Sequence, residues 1–465
     1  MSAPVIWILI PFISGVVSLP FLRQRLTPLF GGAISMALSF TALVFPIDTA
    51  LLLGSISIKI SSSVQIFGRS FALNTADSSL IAIIYGLAAL WFFGTEASGS
   101  ANRFVSLGLI IVALLTASIA VEPFLFAALL LNMAAMLVIP LLVPVYQRPA
   151  RGVARFLIYQ TLAMPFILFS GWMLAGVEAS PGDFGATLQA GTILLLGFAF
   201  LLGVFPLYNW IPMLMEEASP YVTGFLLWAL PTFTVVFALG FLDRYTWLRT
   251  SPQLSSGIQL AGVLMVASGG IFAAQEKHIG RIMGYAAIIE TGLLTLAMGL
   301  RSTEVVNIIF LLLIPRGLEL AVWALALSII KRRVYSLRFS ELQGMARKYP
   351  FAVAALILSN LSMTGFPLLV GFPPRLALWQ ELAGQSLTIS LWVFLGLFGL
   401  LIAAVRTLAV FVMAEESKTW EWNESWIQTT MLVIGVIGLF VFGMFPQVMQ
   451  PFIVNLPTLF EHLSQ

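Results

Sequence analysis

Leu201-Leu202-Gly203-Val204-Phe205-Pro206-Leu207-Tyr208-Asn209-Trp210 and Ser362-Met363-Thr364-Gly365-Phe366-Pro367-Leu368-Leu369-Val370-Gly371-Phe372 each place a glycine and a proline inside a long apolar run. A proline removes a backbone donor and clashes with the preceding turn. In lipid the freed carbonyl must find a partner in protein or in a water-lined cavity. A matched pair of interrupted hydrophobic segments in two halves of a chain points to an ion or solute path between repeats. The bland alternative is two unrelated kinks.

Composition agrees with a membrane setting. Of 465 residues, 60% are hydrophobic and 9% charged, with a mean hydropathy of +1.00. Soluble domains carry about 25% charged residues, so this chain has too little charge to cover a water-facing surface. It has no cysteine, which excludes disulfides, thiolate metal sites and cysteine nucleophiles. His278 and His462 are far apart in sequence and do not suggest a shared metal site. The net charge of +3 is small and gives no reason to expect nucleic acid. The first apolar stretch, Val5 to Leu22, has no clear small-residue cleavage site after it and reads as a retained helix.

A spanning helix needs about 20 mostly apolar residues. That rule predicts an all-α integral membrane protein, a single polytopic domain over 1–465 with about 14 transmembrane helices. The spans fall near 4–22, 28–46, 77–94, 104–120, 123–145, 155–176, 190–215, 220–241, 258–275, 281–300, 305–330, 351–383, 388–413 and 426–450. Residues 51–75, with the alternating Ser55-Ile56-Ser57-Ile58-Lys59-Ile60, predict a surface hairpin between spans 2 and 3. Basic residues gather in the loops after odd-numbered spans: Arg23, Arg25, Arg103, Arg148, Arg151, Arg155, Lys277, Arg281, and the group from Lys331 to Lys348. The opposite loops hold Asp48, Asp77, Glu122, Glu178 and Asp183. The positive-inside rule places the basic loops in the cytoplasm and both termini outside, in a bacterial-type inner (plasma) membrane. Trp420, Trp422 and Trp426 form an aromatic belt before the last span.

Three ordered motifs then carry a resemblance. Phe205 to Pro212, followed by Glu217 to Thr223, is similar to F-P-x-H-x-W-L-P…E-A-P-x-x-V-S. Lys277 to Ile289 is similar to D-x-K-R-x-x-A-Y-S-S-I, and Thr364 to Arg375 to G-x-P…G-F-x-x-K. These are motifs of the antiporter-like membrane subunits of respiratory complex I (NADH:quinone oxidoreductase), membrane-bound hydrogenases and Mrp antiporters, and this chain resembles a divergent member. The resemblance implies fourteen helices, two inverted five-helix repeats (104–241 and 258–413 here), and a chain of lysine, glutamate and histidine across the midplane. It also implies work inside a larger complex, with other membrane subunits and lipids as partners and no cofactor of its own.

The departures are informative. The chain has no acidic residue between Glu122 and Glu178, so the fifth span offers only Asn132. Leu201 stands where the resemblance puts the seventh-span lysine, and Pro231 and Thr232 lie near the eighth-span one. Lys59, Lys277, Lys331, Lys348 and Lys418 fall in loops or at span edges. No transmembrane lysine is expected, and with it goes the group whose pKa burial shifts most readily. The second half keeps Glu290, Arg316, Glu319, Arg375, Glu381 and Arg406. The resemblance puts histidine near Glu290, lysine at Glu319 and the terminal carrier at Arg375. Arg316 and Glu319, three apart, share a helix face, and Pro315 is expected to break that helix, as Pro206 and Pro367 break theirs. A charge at mid-membrane costs at least ~2.5–3.5 kcal/mol, so several retained ones suggest use. An arginine does not release its proton; it sets a field rather than relaying. The competing reading makes Arg316, Glu319 and Arg375 a fixed ion-paired network that holds helices together.

Three functions follow: a proton- or cation-translocating subunit, redox-coupled, with a degenerate first-half channel; a non-pumping scaffold subunit; or a freestanding solute transporter. A lone enzyme is not expected, because no Gly-rich nucleotide motif or metal site is legible. Adjacent Glu216 and Glu217 read as loop charges, since neighbours on a helix face different ways.

Overall fold

The computed structural model describes residues 2–21, 26–45, 47–48, 50–53, 56–66, 68–100, 103–143, 150–179, 184–300, 304–413, 420–460 and 462–463. Arg23, Arg25, Arg148, Asp183 and Lys418 lie outside them.

The membrane helices are α1 (Val5–Ser18), α2 (Thr27–Val44), α3 (Asp77–Phe93), α4 (Arg103–Ala120), α5 (Ala127–Leu142) and α6 (Arg151–Ala179). The first interrupted segment is α7 (Phe184–Leu202) followed by α8 (Trp210–Glu217). Then come α9 (Pro220–Arg244), a five-residue α10 (Thr246–Thr250), α11 (Pro252–Gln275), α12 (Ile279–Met298) and α13 (Val305–Lys331). The second interrupted segment is α14 (Pro350–Met363) followed by α15 (Phe372–Gln385), and α16 (Leu387–Val412) and α17 (Trp426–Met444) complete the set. Among the described residues, 11 helical segments are long and apolar enough to cross a membrane, and three shorter apolar helices, Val5–Ser18, Asp77–Phe93 and Pro350–Met363, bring the spans to the fourteen expected. The chain is a multi-pass, all-α integral membrane protein.

Segment 50–72 forms two hairpins rather than one. Strands β1 (Ala50–Leu53) and β2 (Ile56–Lys59) pair antiparallel with Ala50 opposite Lys59. Strands β3 (Ser63–Ile66) and β4 (Arg69–Ala72) pair with Ser63 opposite Ala72, and β5 (Val121–Glu122) joins the edge of β4.

Helices α9, α12 and α13 are predominantly apolar around their circumference, a few polar and charged residues apart, and buried along most of their length. A helix hydrophobic all round belongs in an interior, and these three form the central axis of the bundle. By contrast α2, α16 and α17 keep large apolar side chains exposed, Phe40, Trp392 and Ile437 among them; they face outward, where lipid is an acceptable neighbour. Trp420, Trp422 and Trp426 are all exposed. Helices α11 and α16 touch backbone to backbone: a Cβ at Gly270 would collide with the main chain of Gly396, and one at Gly399 with the main chain of Gly270. Close approach through small residues is the usual way helices associate in lipid.

The expectation that Pro315 breaks its helix is overturned: α13 runs unbroken from Val305 to Lys331 with Pro315 inside it. One proline removes one ladder bond, and a helix surrounded by packed neighbours keeps the turns on either side. At the other two sites the chain leaves helical geometry. Gly203 has φ +62° before Pro206, and Gly365 and Leu368 have φ +81° and +73° around Pro367. Left-handed residues terminate a helix. In the second break Gly365 and Leu368 do so within four residues, while Pro315 has no such neighbour.

Candidate functional site

Four ionisable side chains meet where the second break abuts α12 and α13. Glu290 comes from α12, Arg316 and Glu319 from α13, and Arg375 from α15; their exposures are 2%, 0%, 0% and 4%. The Arg375 guanidinium is the hub. Its Nη2 bonds Glu290 Oε1 and lies 3.7 Å from Glu319 Oε2. Its Nη1 donates to the Gly371 carbonyl at 2.7 Å. Ser362, the penultimate residue of α14, donates to Glu319 Oε1 at 2.6 Å and accepts from the Gly371 amide at 3.1 Å. The break thus brings the end of one half-helix and the start of the next onto the same carboxylate. A Cβ at Gly371 would collide with the Ser362 carbonyl and the Arg375 guanidinium, so the approach requires glycine there.

Arg316 is held differently. Among the described residues it makes no ion pair within 4.0 Å; its Nη2 donates to the Leu227 carbonyl at 2.7 Å and to Thr291 Oγ1 at 3.0 Å. Leu227 lies on α9, four residues before Pro231. The ladder partner of that carbonyl is therefore a proline, which has no N–H. Arg316 fills the vacancy that Pro231 creates. Its Nε and Nη1 have no hydrogen-bond partner among the described residues, nor do Arg375 Nε and Glu319 Oε2, the latter keeping only its 3.7 Å approach to Arg375. The quartet carries two carboxylates and two guanidinia, so its formal charge balances.

The first break is the neutral counterpart. Gln160 of α6 is buried, and its Nε2 donates at 3.1 Å to the Leu201 carbonyl, whose helical partner would have been the amide of Phe205 beside Pro206. Tyr208 after the break bonds Ser268 Oγ at 2.8 Å. No ionised group serves either bond. Lys331 donates at 2.7 Å to the Ala218 carbonyl from the last residue of α13, away from mid-span.

The remaining candidates lie apart from the quartet. Asn132 on α5 is buried and donates to Met164 Sδ at 3.6 Å, with Oδ1 unpartnered. Glu381 sits on the outer turns of α15, half-buried, with no ion pair among the described residues. Arg406 donates to the Ala274 carbonyl and stacks 5.4 Å from the Phe339 ring. Glu216 and Glu217 diverge: Glu216 Oε2 is 3.7 Å from Arg281 Nε, while Glu217 accepts from the Gly152 amide at 2.7 Å. His278 caps α12, accepting from the Arg281 amide at 3.3 Å. Burial holds its pKa below the ordinary histidine value, against the pull of Glu216 and Glu276. Sequence reasoning missed Ser362, Thr291 and Gln160 as partners. The signal for two of them was present: Ser362 opens the second interrupted run, and Gln160 is a lone amide in an apolar span.

Residues 182–402 match the family described as NADH:quinone oxidoreductase/Mrp antiporter, TM. The NADH-quinone oxidoreductase subunit N of Heliobacterium modesticaldum is 29% identical over 230 residues, 48% of this chain and 46% of that protein. Subunit 14 of the Thermus thermophilus NADH-quinone oxidoreductase is 25% identical over 445 residues, 90% of this chain and 96% of that one. The chain spans about half the length of the first curated relatives it matches. A chain of respiratory complex I from Thermus thermophilus superposes with a TM-score of 0.80 at 18% identity, over 99% of this chain and 100% of that one. A chain of the Mrp complex from a Dietzia species also gives 0.80, at 14% identity over 100% and 99%. Both structural neighbours are parts of multi-subunit membrane complexes. In sequence through its middle and in fold along its whole length, the chain resembles the antiporter-like membrane subunits of the NADH:quinone oxidoreductase and Mrp antiporter family.

Proposed function

We propose that this chain is a proton- or cation-translocating subunit of a redox-coupled, multi-subunit complex of a bacterial plasma membrane, with its ion path confined to the second half, 258–413. The observation that supports this is Arg375, buried at the second break between Glu290 and Glu319. A guanidinium shared by two carboxylates cannot satisfy both fully, so protonating one carboxylate strengthens the grip on the other. That is a two-state element biased by one proton, which is what coupled transport requires. Arg375 sets the field and the carboxylates move the proton. The first half, 104–241, has a neutral amide at the matching break and does not conduct. The basic loops face the cytoplasm.

The experiment uses the whole complex in sealed vesicles. Glu290→Gln and Glu319→Gln are expected to abolish ion movement coupled to electron transfer, while Gln160→Leu leaves it intact. Unchanged transport in both glutamine variants, with the complex assembled, overturns the reading. It would leave the scaffold role, which Arg316 supports: its one main-chain bond repairs the helix ladder at Pro231.

A further inference from the structure

Two adjoining cavities lie outside the charged quartet, none of whose four side chains lines either. The first, about 320 Å³, lies between α7, α9 and α11 and is walled by Leu194, Phe198, Leu202, Ala238, Ile258 and Ala261. The hydroxyls on its wall are already committed: Thr192 donates to the Leu188 carbonyl and Thr295 to the Thr291 carbonyl. Leu196 and Gly257, also on its wall, are exposed, so the cavity opens sideways toward the bilayer. Water needs two to four polar partners to occupy a site, and this one offers none. An empty cleft forfeits dispersion contacts on every wall. The remaining filler at that depth is an alkyl chain.

The second cavity, about 460 Å³, meets the first at Leu242, Leu248, Ile258 and Met298, which line both. It is polar where the first is not, with Arg249, Thr250, Ser255 and His462 on its wall. Arg249 has no carboxylate within 4.0 Å among the described residues. Its Nη1 donates to the Asp243 carbonyl at 3.0 Å, while the Asp243 carboxylate is occupied by the amides of His462 and Leu463 at 2.8 and 3.1 Å. An unneutralised guanidinium at the polar end of an alkyl-shaped slot is complementary to a phosphate. Tyr245 and Trp247 flank it with rings 6.4 Å apart, the aromatic pair expected at headgroup depth.

We propose that a phospholipid binds here, one acyl chain between α7, α9 and α11 and its phosphate at Arg249. This site is independent of the ion path. The occupant is a lipid rather than a helix of a neighbouring subunit because the apolar cleft ends at headgroup level in Arg249, a cation with no ion pair among the described residues.

The complex, extracted in mild detergent, incubated with an equal mixture of phosphatidylglycerol and phosphatidylcholine and washed free of unbound lipid, is weighed by native mass spectrometry. The native complex is expected to retain one phospholipid that the Gly257→Leu/Ala261→Phe double variant loses. A Cβ at Gly257 meets nothing within 4 Å, so that variant fills space without a clash. Arg249→Gln is expected to lower retention about fivefold for both lipids, the contribution of one basic side chain at a lipid surface. Leu43→Phe, on the lipid-facing side of α2, is the control and is expected to change nothing. Equal retention in the filled variant overturns the proposal. So does a photoreactive side chain at position 257 that crosslinks another subunit instead of lipid.

Discussion

Replacing Arg375 by methionine keeps an unbranched apolar stem and removes the guanidinium alone. In the native chain that group holds Glu290 and approaches Glu319 at 3.7 Å, in a site where all three side chains are 4% exposed or less. Its removal leaves two carboxylates at adjoining positions with no shared cation. Breaking a buried pair in this way costs about 3–5 kcal/mol, because the surviving charge has lost its partner. The Gly371 carbonyl loses its 2.7 Å side-chain donor but, as the N-cap of α15, still accepts the first amide of the helix ladder, so it adds little to this cost. The double variant Arg375→Met/Glu290→Gln removes the bonded pair together and leaves Arg316 to balance Glu319. It is expected to recover most of the first cost, since replacing a buried ion pair by neutral groups is often neutral or stabilising by about 1–4 kcal/mol. The assay is unfolding of the purified complex by increasing mole fractions of dodecyl sulfate in mild detergent. The reasoning is refuted by a single variant that loses less than about 1 kcal/mol, the scale of an exposed pair. It is equally refuted by a double variant Arg375→Met/Glu290→Gln no more stable than the single one.

Other outcomes follow from the same partners. Arg316→Met alone is expected to destabilise, but far less in a Pro231→Ala background, where the restored amide serves the Leu227 carbonyl; the double-mutant cycle should show a coupling of roughly 1–3 kcal/mol, and additive effects would refute the ladder-repair role. Gln160→Leu leaves the Leu201 carbonyl unpaired and is expected to cost about 1–3 kcal/mol in the same dodecyl sulfate titration. His278 has a folded-state pKa below its ordinary value, so its contribution to stability is complete above the ordinary histidine range and falls as pH drops through the lowered folded value. Protonation also removes the acceptor for the Arg281 amide. Thermal melts over decreasing pH should show this loss, and His278→Asn, which caps without titrating, should flatten it.

The span count was legible because length and hydropathy decide it, and the breaks at Pro206 and Pro367 because glycine accompanies proline there. Pro315 shows the limit of that signal. Gly317 follows it by two residues but stays helical, so glycine beside proline does not by itself separate the two cases; a left-handed residue does. The charges of the site were legible by their cost in lipid, but their pairing was not. Arg316 and Glu319 share a helix face, yet Arg316 turns to a carbonyl on α9 and Glu319 to Ser362 and Arg375. Glu381 follows Arg375 on the same half-helix and stays outside the cluster. Partner choice depends on which neighbouring helix presents an unmet acceptor, and that is fixed by tertiary approach rather than by spacing.

The contact of Gly270 with Gly396 and Gly399 has a mechanical consequence. Main chains in direct contact leave no side-chain layer to shear, so α11 and α16 move as one rigid strut. Helix α15, joined to α16 at Ser386 and resting on it through the Trp379 and Phe394 rings, is then the lever of that half. Any rearrangement that lets Arg375 trade one carboxylate for the other must be taken up between Thr364 and Gly371, with the strut as its fulcrum.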